Sequence, residues 1–496
     1  MSGLHEQNAG ANGTGKDRRP SLLHNIVYST LLNFANIVFP LLLFMWVSRH
    51  IGVESIGKVN WAISFTAYFV LLASFGISNY GTRQIARVRG DKELLESTFG
   101  RLFSFSLLTT ATSSFIFGIV VLSVPTLRSD LPLLLIMFTM VAFAPLSLDW
   151  FFQGLENFRY IAIRSISIKF LSLAAMIFLV RKPGDYLIYA ALYAAGLCLN
   201  YLLNFHYASR LVRIRLRWEG LGPTFSSLLR FALISFAVSL YLGLDKIILG
   251  AISGYSSVGL YTPAEKIVRT SLSVVVALCT ALLPRMSFVF SAGDAEDGMA
   301  RLVENSLHAA MLLALPMMVG IFILAEPLVL FFGGISFLPS IDVLRIMDFV
   351  ILPVAVANVA GFQVLVATGR EMRYLVSVLS GTIAFFISAF LLIPRFSARG
   401  AAASMFIAES TGAILECVFA RDRIRSAFRP RWFAPICVAS TIMGLSVWRL
   451  AGLIKGKVAV LGVCLLMGAL VYTGILVLFR DSLLFSMFER IRTRMR

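Results

Sequence analysis

The chain has 496 residues, of which 58% are apolar and only 14% are charged, and its formal net charge is +18. Soluble domains carry about 25% charged residues, and a soluble protein of this size could not cover its surface with so few. The composition excludes a soluble enzyme, a disulfide scaffold and a disordered chain, and it indicates an integral membrane protein with many spans.

Fourteen apolar stretches reach the length of about 20 residues that spans a bilayer. In chain order they are 22–47, 59–80, 102–124, 131–152, 162–180, 186–206, 227–249, 261–283, 306–325, 342–367, 374–393, 400–419, 433–454 and 458–479. They predict an all-α membrane protein. The polar segment 1–21 is expected to be a disordered tail, and 207–226 and 480–496 are a basic linker and a basic tail.

The Lys and Arg residues are spread through the short segments between these stretches, with no basic domain. This distribution is typical of the positive-inside rule and argues against nucleic-acid binding. With the N-terminus inside, the cytoplasmic segments hold 29 Lys and Arg residues and the external segments hold 10. The ratio predicts that both termini are cytoplasmic and that the number of spans is even.

The five cysteines lie in apolar stretches without CxxC spacing. We expect small buried side chains there and no metal ligands.

A short internal repeat divides the chain. Residues 52–57 read GVESIG and residues 254–259 read GYSSVG, at an offset of 202. Both copies are expected in the loop after the first span of a six-span set. Parallel repeats of this kind are a transporter architecture with the substrate between the halves. We therefore predict an N-lobe (22–206) and a C-lobe (227–420) around a central cavity, followed by two further spans within 421–479.

Ionisable residues within spans are costly and usually face an interior cavity. Lys169 lies ten residues past Arg159, about 15 Å into the bilayer,. In span 1, Asn33 and Asn36 share one helical face. The further ionisable residues in or at the edges of spans are Asp149, Arg164, Asp245, Lys246, Glu265, Lys266, Arg269, Asp348, Glu409 and Glu416.

Two interpretations of these charges stay open. The basic residues could line a wet cavity, or they could pair with Asp149, Asp245 and Glu265 to hold helices together. Pro263 favours a helix start, which predicts that Lys266 and Arg269 lie in the first two turns of span 8. Glu265 can pair with Arg269 at i,i+4, which would leave Lys169 and Lys266 as the freer charges.

Sequence motifs of an enzyme or an ATP-driven pump are missing. The stretch 10–16 fits GxxxxGK, but Asp17 follows it and no strand precedes it, so we reject it as a nucleotide loop,. No HExxH motif and no large external segment occurs. Transport driven by an ion gradient is the function that remains.

Several motifs resemble the Wzx-type O-antigen and polysaccharide flippases of the MOP exporter superfamily. The segments that carry the resemblance are 149–158 (DWFFQGLENF), 244–250 (LDKIILG), 258–268 (VGLYTPAEKIV) and 283–287 (LPRMS). The resemblance covers about residues 20–420. It implies a non-enzymatic flippase in the bacterial inner membrane, which moves an undecaprenyl-pyrophosphate-linked oligosaccharide from the cytoplasmic to the periplasmic leaflet.

The resemblance also implies a proton or sodium gradient as the driver, without a bound cofactor, and a polysaccharide polymerase and chain-length proteins as partners. On this basis we expect substrate contacts from Lys169, Lys246, Lys266, Arg269, Arg164, Asn33 and Asn36. Asp245 and Glu265 are the expected ion-coupling carboxylates. The alternatives are a lipid II flippase, a small-molecule antiporter of the MATE kind and an enzyme of polysaccharide assembly.

Overall fold

The computed structural model describes residues 22–220, 243–291, 296–454 and 456–485, with six isolated positions between 222 and 232. The tail 1–21, most of the predicted span 227–249 and most of the C-terminal tail lie outside the described residues. In the first half of the chain, the α-helices are α1 (Leu22–Ile51), α2 (Val53–Ser74), α3 (Ile77–Val88), α4 (Lys92–Ser123), α5 (Pro125–Arg128), α6 (Leu131–Ala142), α7 (Asp149–Gly154), α8 (Phe158–Leu179) and α9 (Tyr186–Leu211).

The second half continues the helical pattern. Its α-helices are α10 (Leu244–Ser291), α11 (Glu296–Ile323), α12 (Ala325–Phe332), α13 (Ser340–Asp348), α14 (Ile351–Ala357), α15 (Glu371–Phe419), α16 (Arg421–Ala427), α17 (Pro430–Leu453) and α18 (Lys457–Leu478), and a π-helix covers Asn358–Val366. The described part of the chain contains no β-strand, so the all-α prediction is confirmed.

Eleven helical segments of the described residues are long and apolar enough to cross a membrane. The predicted number of fourteen is therefore not confirmed. One of the eleven, 371–419, is 49 residues long. Its backbone turns at Ser397, where φ is 49° and ψ is −125°. A Cβ on Gly381, before the turn, would lie 2.9 Å from the carbonyl oxygen of Ala408, beyond it. Close contact between residues so far apart in sequence means that α15 is two antiparallel helices.

The repeated glycines Gly52 and Gly254 have the same backbone conformation. Their φ and ψ are 82° and 171° at Gly52, and 79° and 173° at Gly254. A positive φ is readily adopted only by glycine. The prediction that the repeated segments are loops is wrong, because α2 begins at Val53 and α10 resumes directly after Gly254. One glycine with positive φ is enough to redirect the chain between two helices.

The two halves of the chain meet along α2 and α10. The indole Nε1 of Trp61 donates to the carbonyl oxygen of Ile247 at 3.3 Å. At the same end of the molecule, the hydroxyl of Ser48 donates to the carbonyl oxygen of Phe332 at 2.7 Å. Hydrogen bonds from side chains of the first half to backbone carbonyl oxygens of the second half therefore contribute to the contact, in addition to apolar packing.

The last two long helices, α17 and α18, pack against α11. The imidazole Nε2 of His308 on α11 donates to Asp481 Oδ2, just after α18, at 2.8 Å. The ring of Trp432 at the start of α17 stacks on His308 with centroids 4.9 Å apart. This buried polar contact ties both helices to the second half of the chain.

Candidate functional site

An ionic cluster lies within α10, on both sides of the break at Gly254. Lys246 Nζ lies 2.7 Å from Glu265 Oε2, and Arg269 Nε lies 2.9 Å from Glu265 Oε1. Arg269 Nη2 is 3.9 Å from Asp245 Oδ2. Glu265 thus joins a base from before the break to one from after it. The Glu265–Arg269 pair expected from the i,i+4 spacing is present.

The position of Lys266 and Arg269 differs from the prediction. Because the helix resumes after Gly254 and continues through Pro263, these residues do not lie in its first two turns. Arg269 is fourteen residues past Tyr255, roughly 21 Å along the helix axis,. Proline at position 263 is accommodated inside the helix, and the cluster lies deeper along it than its sequence suggested.

Asp245 is held by a partner that sequence analysis missed. The hydroxyl of Tyr261 donates to Asp245 Oδ2 at 2.8 Å, and the backbone N–H of Lys246 donates to Oδ1 at 2.8 Å. Tyr261 is fully buried. The i,i+4 spacing of Tyr261 and Glu265 was the available signal, since it puts both side chains on one helical face.

Two lysines stay outside this network. Lys266 lies with its Nζ 5.6 Å from the ring centroid of Phe44 on α1. Lys169 is half-buried on α8. Neither lysine forms an ion pair with a described residue. Phe170, next to Lys169, packs on Phe39 of α1 with centroids 4.7 Å apart. Both lysines are therefore carried by helices that contact the same stretch of α1.

Asn33 and Asn36 lie on α1 as well, and both are exposed. Neither amide forms a hydrogen bond with a described residue. The structure does not bring them into contact with the ionic cluster on α10.

Arg164 belongs to a separate polar cluster inside the first half. Its Nη2 donates to Asp149 Oδ1 at 2.7 Å and its Nε donates to Asn200 Oδ1 at 3.1 Å. Asn204 Nδ2 also donates to Asp149 Oδ1, at 3.1 Å. Sequence analysis missed Asn200 and Asn204. Their i,i+4 spacing in an apolar helix was the signal that could have identified them.

An apolar cavity of about 420 Å³ lies beside another face of α10. It is lined by Ile267 and Thr270 of α10, which flank Arg269 along the helix, and by Met443 of α17 and Tyr472 of α18. The ionic cluster and the apolar cavity therefore lie along the same stretch of α10, on different faces of the helix.

Buried carboxylates also lie in the second half. Glu416 is 3% exposed, and its Oε1 accepts from the hydroxyl of Ser377 at 3.2 Å. Its Oε2 has no hydrogen-bond partner among the described residues. A Cβ on Gly361 of the π-helix would lie 2.5 Å from that oxygen. Asp348 is fully buried, and neither of its carboxylate oxygens has a described partner.

Within the part of the chain that the structure describes, no group of three or more His, Cys, Asp or Glu side chains could hold a metal ion. The five cysteines are free thiols. Cys279 and Cys464 are buried, whereas Cys198, Cys417 and Cys437 are half-buried.

Comparison with known proteins identifies relatives over most of the chain. The family model described as "Polysaccharide biosynthesis protein" matches residues 22–290. A curated protein of Escherichia coli (strain K12) named "Putative O-antigen transporter" is 22% identical over 409 residues, which are 81% of this chain and 97% of that protein. A protein of the same name from Shigella dysenteriae is 22% identical over 395 residues, covering 78% of this chain and 96% of that protein.

Solved structures share the fold. The lipid II flippase MurJ, in an inward closed conformation, matches with a TM-score of 0.73 at 16% identity, covering 92% of this chain and 99% of that one. An inward-facing multidrug resistance MATE transporter of the MOP superfamily matches with a TM-score of 0.61 at 16% identity, covering 81% of this chain and 98% of that one. The fold is therefore that of the MOP transporters.

Proposed function

Because this chain belongs to the polysaccharide biosynthesis protein family, we propose that it is a flippase for a lipid-linked oligosaccharide. The cargo is an undecaprenyl-pyrophosphate-linked repeat unit, which passes from the cytoplasmic to the periplasmic leaflet by alternating access. The names of the curated relatives from Escherichia coli and Shigella dysenteriae support this substrate class. The protein acts in the bacterial inner membrane with both termini cytoplasmic, as the distribution of Lys and Arg predicts.

The observation that carries the proposal is that charged residues and an apolar cavity lie along the same stretch of α10. Lys266 has no described counter-ion, and Ile267, the next residue, lines the apolar cavity of about 420 Å³. A lipid-linked sugar needs both surroundings at once. Its pyrophosphate must exchange water for fixed donors, whereas its polyprenyl chain must stay in an apolar environment.

The bases have different roles in capturing the headgroup. Lys266 and Lys169 are the first contacts with the pyrophosphate, since neither is neutralised by a described carboxylate. Lys246 and Arg269 are paired with Glu265 at 2.7 and 2.9 Å, so they reach the phosphates only when that pair opens. Arg164 lies toward the cytoplasmic mouth, and Asn33 and Asn36 offer amides to the sugar.

Ion coupling is assigned to Asp245 and Glu265. The Lys246–Glu265 pair joins helices on both sides of the break at Gly254, so a change in their angle would separate the pair. Glu265 would then lose a cation while remaining largely desolvated, and it would gain by taking up a proton or a sodium ion. The driver is the gradient of that ion, without a bound cofactor.

After transport, the repeat unit is available on the periplasmic side to a polysaccharide polymerase and chain-length proteins. These are the partners that the proposal requires.

A lipid II flippase is the second candidate, because the MurJ fold covers 92% of this chain. Both kinds of flippase would transport a polyprenyl pyrophosphate, and their cargoes differ in the sugar attached to it. Mass spectrometry of the lipids that accumulate in a deletion strain distinguishes them. We expect lipid-linked repeat units of a surface polysaccharide on the cytoplasmic side. Accumulation of a peptidoglycan precursor instead would favour the second candidate.

The headgroup assignment is tested with Lys169→Gln and Lys266→Gln, which remove the charge and keep most of the side-chain length. We expect polymer export to fall about tenfold in each variant, because each loses one or two charge-assisted hydrogen bonds to the pyrophosphate. Lys92→Gln, an exposed lysine at the start of α4, is the matched control. Normal export by both variants at normal protein levels would exclude these lysines as the headgroup site.

A further inference from the structure

A basic and aromatic pocket lies between the ends of α8 and α9, apart from the cluster on α10. The cavity has a volume of about 500 Å³ and is lined by Arg159, Tyr160, Arg164, His206 and Tyr207, among others. We refer to it as the interfacial pocket. It lies at the start of α8 and near the end of α9, and the distribution of Lys and Arg predicts that this end is cytoplasmic.

The outer face of α8 is apolar beyond the pocket. Ile163, Phe170 and Phe178 are 50%, 60% and 67% exposed. Exposed side chains of this size along one helical stripe are typical of a surface that faces lipid. Ile163 itself lines the pocket. The interfacial pocket therefore borders this apolar face, and its place at the predicted cytoplasmic end of α8 corresponds to the expected depth of the lipid headgroups.

The two arginines of the pocket are held differently. Arg159 is exposed and forms no ion pair with a described residue. Arg164 is only 7% exposed, and its Nη1 has no hydrogen-bond partner among the described residues. Asp149 and Asn200 occupy its other nitrogens. A buried guanidinium group without a described partner for one of its nitrogens can donate a hydrogen bond to an anion.

Neighbouring side chains prepare the pocket for an anion. The carboxylate of Glu156 is paired with Arg89 at 2.7 Å, so it does not neutralise Arg159. Arg210 donates to the Nε2 of His206 at 2.9 Å and adds a further positive charge at the rim. Tyr160 and Tyr207 pack with centroids 4.4 Å apart. Tyrosines are enriched at the membrane interface, because the side chain has an apolar ring and a polar hydroxyl end.

Simple snorkelling of surface arginines does not account for this arrangement. Snorkelling puts the charged group in water, which describes Arg159. The charged group of Arg164 is instead buried. It lies under the ring of Tyr160, with its Cζ 5.2 Å from the ring centroid.

We propose that the interfacial pocket binds the phosphate group of an anionic lipid in the cytoplasmic leaflet. Arg159 and Arg164 donate to the phosphate oxygens, and the tyrosines pack against the glycerol or polyprenyl segment next to the phosphate. Basic pockets between transmembrane helices on the cytoplasmic side commonly receive lipid headgroups. The interfacial pocket is separate from the ionic cluster on α10 and shares only Arg164 with the residues of the proposed function. Binding of a bulk anionic lipid there does not depend on the proposed function, whereas binding of a polyprenyl carrier rests on it.

Native mass spectrometry of the purified full chain in a neutral detergent tests the proposal. The probes are dioleoyl phosphatidylglycerol, undecaprenyl phosphate and, as a zwitterionic reference, dioleoyl phosphatidylcholine. We expect the two anionic lipids to be retained in preference to phosphatidylcholine. Arg159→Ala should lower their retention about tenfold, because it removes a charged donor to phosphate. Arg395→Ala, an exposed arginine with no described ion pair, should leave retention unchanged.

A second variant, Arg164→Lys, keeps a charge beside Asp149 but removes the branched donor group, and it too should weaken retention. Stronger binding of undecaprenyl phosphate than of phosphatidylglycerol would assign the pocket to a polyprenyl carrier, and equal binding would assign it to bulk lipid. Equal retention by wild type, Arg159→Ala and Arg164→Lys would overturn the proposal. So would displacement of the lipid by inorganic phosphate at equal concentration. Because binding is measured without transport, such a result leaves the proposed function standing.

Discussion

Gly57 and Gly259 occupy equivalent places in the internal repeat and make equivalent contacts. A Cβ on Gly57 would overlap the carbonyl oxygen of Tyr255, and a Cβ on Gly259 would overlap that of Val53. Gly57 precedes Gly259 by 202 residues, and Val53 precedes Tyr255 by the same number. The contact between α2 and α10 is therefore self-complementary, as at a two-fold interface.

The first prediction concerns this contact. Gly57→Val should hold α2 and α10 apart at the end predicted to be external, because the added side chain overlaps backbone atoms that cannot move aside. We expect export to fall about tenfold, in line with the cost of overpacking. Labelling of an introduced Ile247→Cys by an external thiol reagent should rise. Gly118→Val is the control, since no atom lies within 4 Å of its Cβ position. Equal behaviour of the two variants would mean that the glycine contact does not control access.

Ion coupling gives the second prediction. Glu265→Gln should remove gradient-driven transport in proteoliposomes and leave substrate binding measurable. Because the change leaves Lys246 and Arg269 without their shared carboxylate, we expect some loss of stability. The double variant Glu265→Gln/Lys246→Met removes one of these charges and serves as the folding control.

A parallel variant makes the coupling test decisive. Glu416 is buried with one oxygen unpartnered among the described residues, so it is, with Asp348, a competing carboxylate. If Glu416→Gln abolishes the response to the gradient and Glu265→Gln does not, the coupling assignment to Glu265 is wrong.

Membrane topology is the third prediction. Introduced cysteines at positions 253 and 335 should react with an impermeant reagent from outside, whereas cysteines at 90 and 425 should not. Ile335 is 71% exposed. The nearby Gly333 is unsuitable for labelling, because a Cβ there would lie 2.8 Å from Phe337. External labelling at position 90 would contradict the orientation drawn from the distribution of Lys and Arg.

The fourth prediction concerns the anchoring of α18. Burial alone would raise the pKa of the Asp481 carboxyl, but hydrogen bonds from His308 and from the backbone amides of Leu484 and Leu483 outweigh it and lower that pKa. A carboxyl group with a lowered pKa stabilises the folded state at pH values above its ordinary pKa of about 3.9. This stabilisation is lost as the pH falls through the pKa of the group in the folded state.

Asp481→Asn should therefore lower the free energy of unfolding by about 2 kcal/mol at neutral pH, the usual contribution of a hydrogen bond to a charged group. It should also reduce the acid sensitivity of thermal unfolding. Asp422→Asn, in a half-exposed pair with Arg370, should change stability by well under 1 kcal/mol. Equal effects of the two changes would refute the anchoring role.

The helical class and the approximate positions of the helices could be predicted from the sequence, because a bilayer demands about 20 apolar residues for each span. The Glu265–Arg269 pair was predictable too, since residues four apart share a helical face. Gly52 and Gly254 indicated where the chain turns, although the turn proved to be a single residue at a helix start.

Only the tertiary structure decided how charges on different helices combine. The period of 3.6 residues tells which side chains share a face, but the rotation of one helix against another is set by packing. The hydrogen bond from Tyr261 to Asp245, the Lys246–Glu265 pair and the amides of Asn200 and Asn204 beside Asp149 all depend on that rotation. So does the lack of an ion pair between Lys266 and any described residue, because only the folded chain brings Glu265 to Lys246 and turns Lys266 toward Phe44.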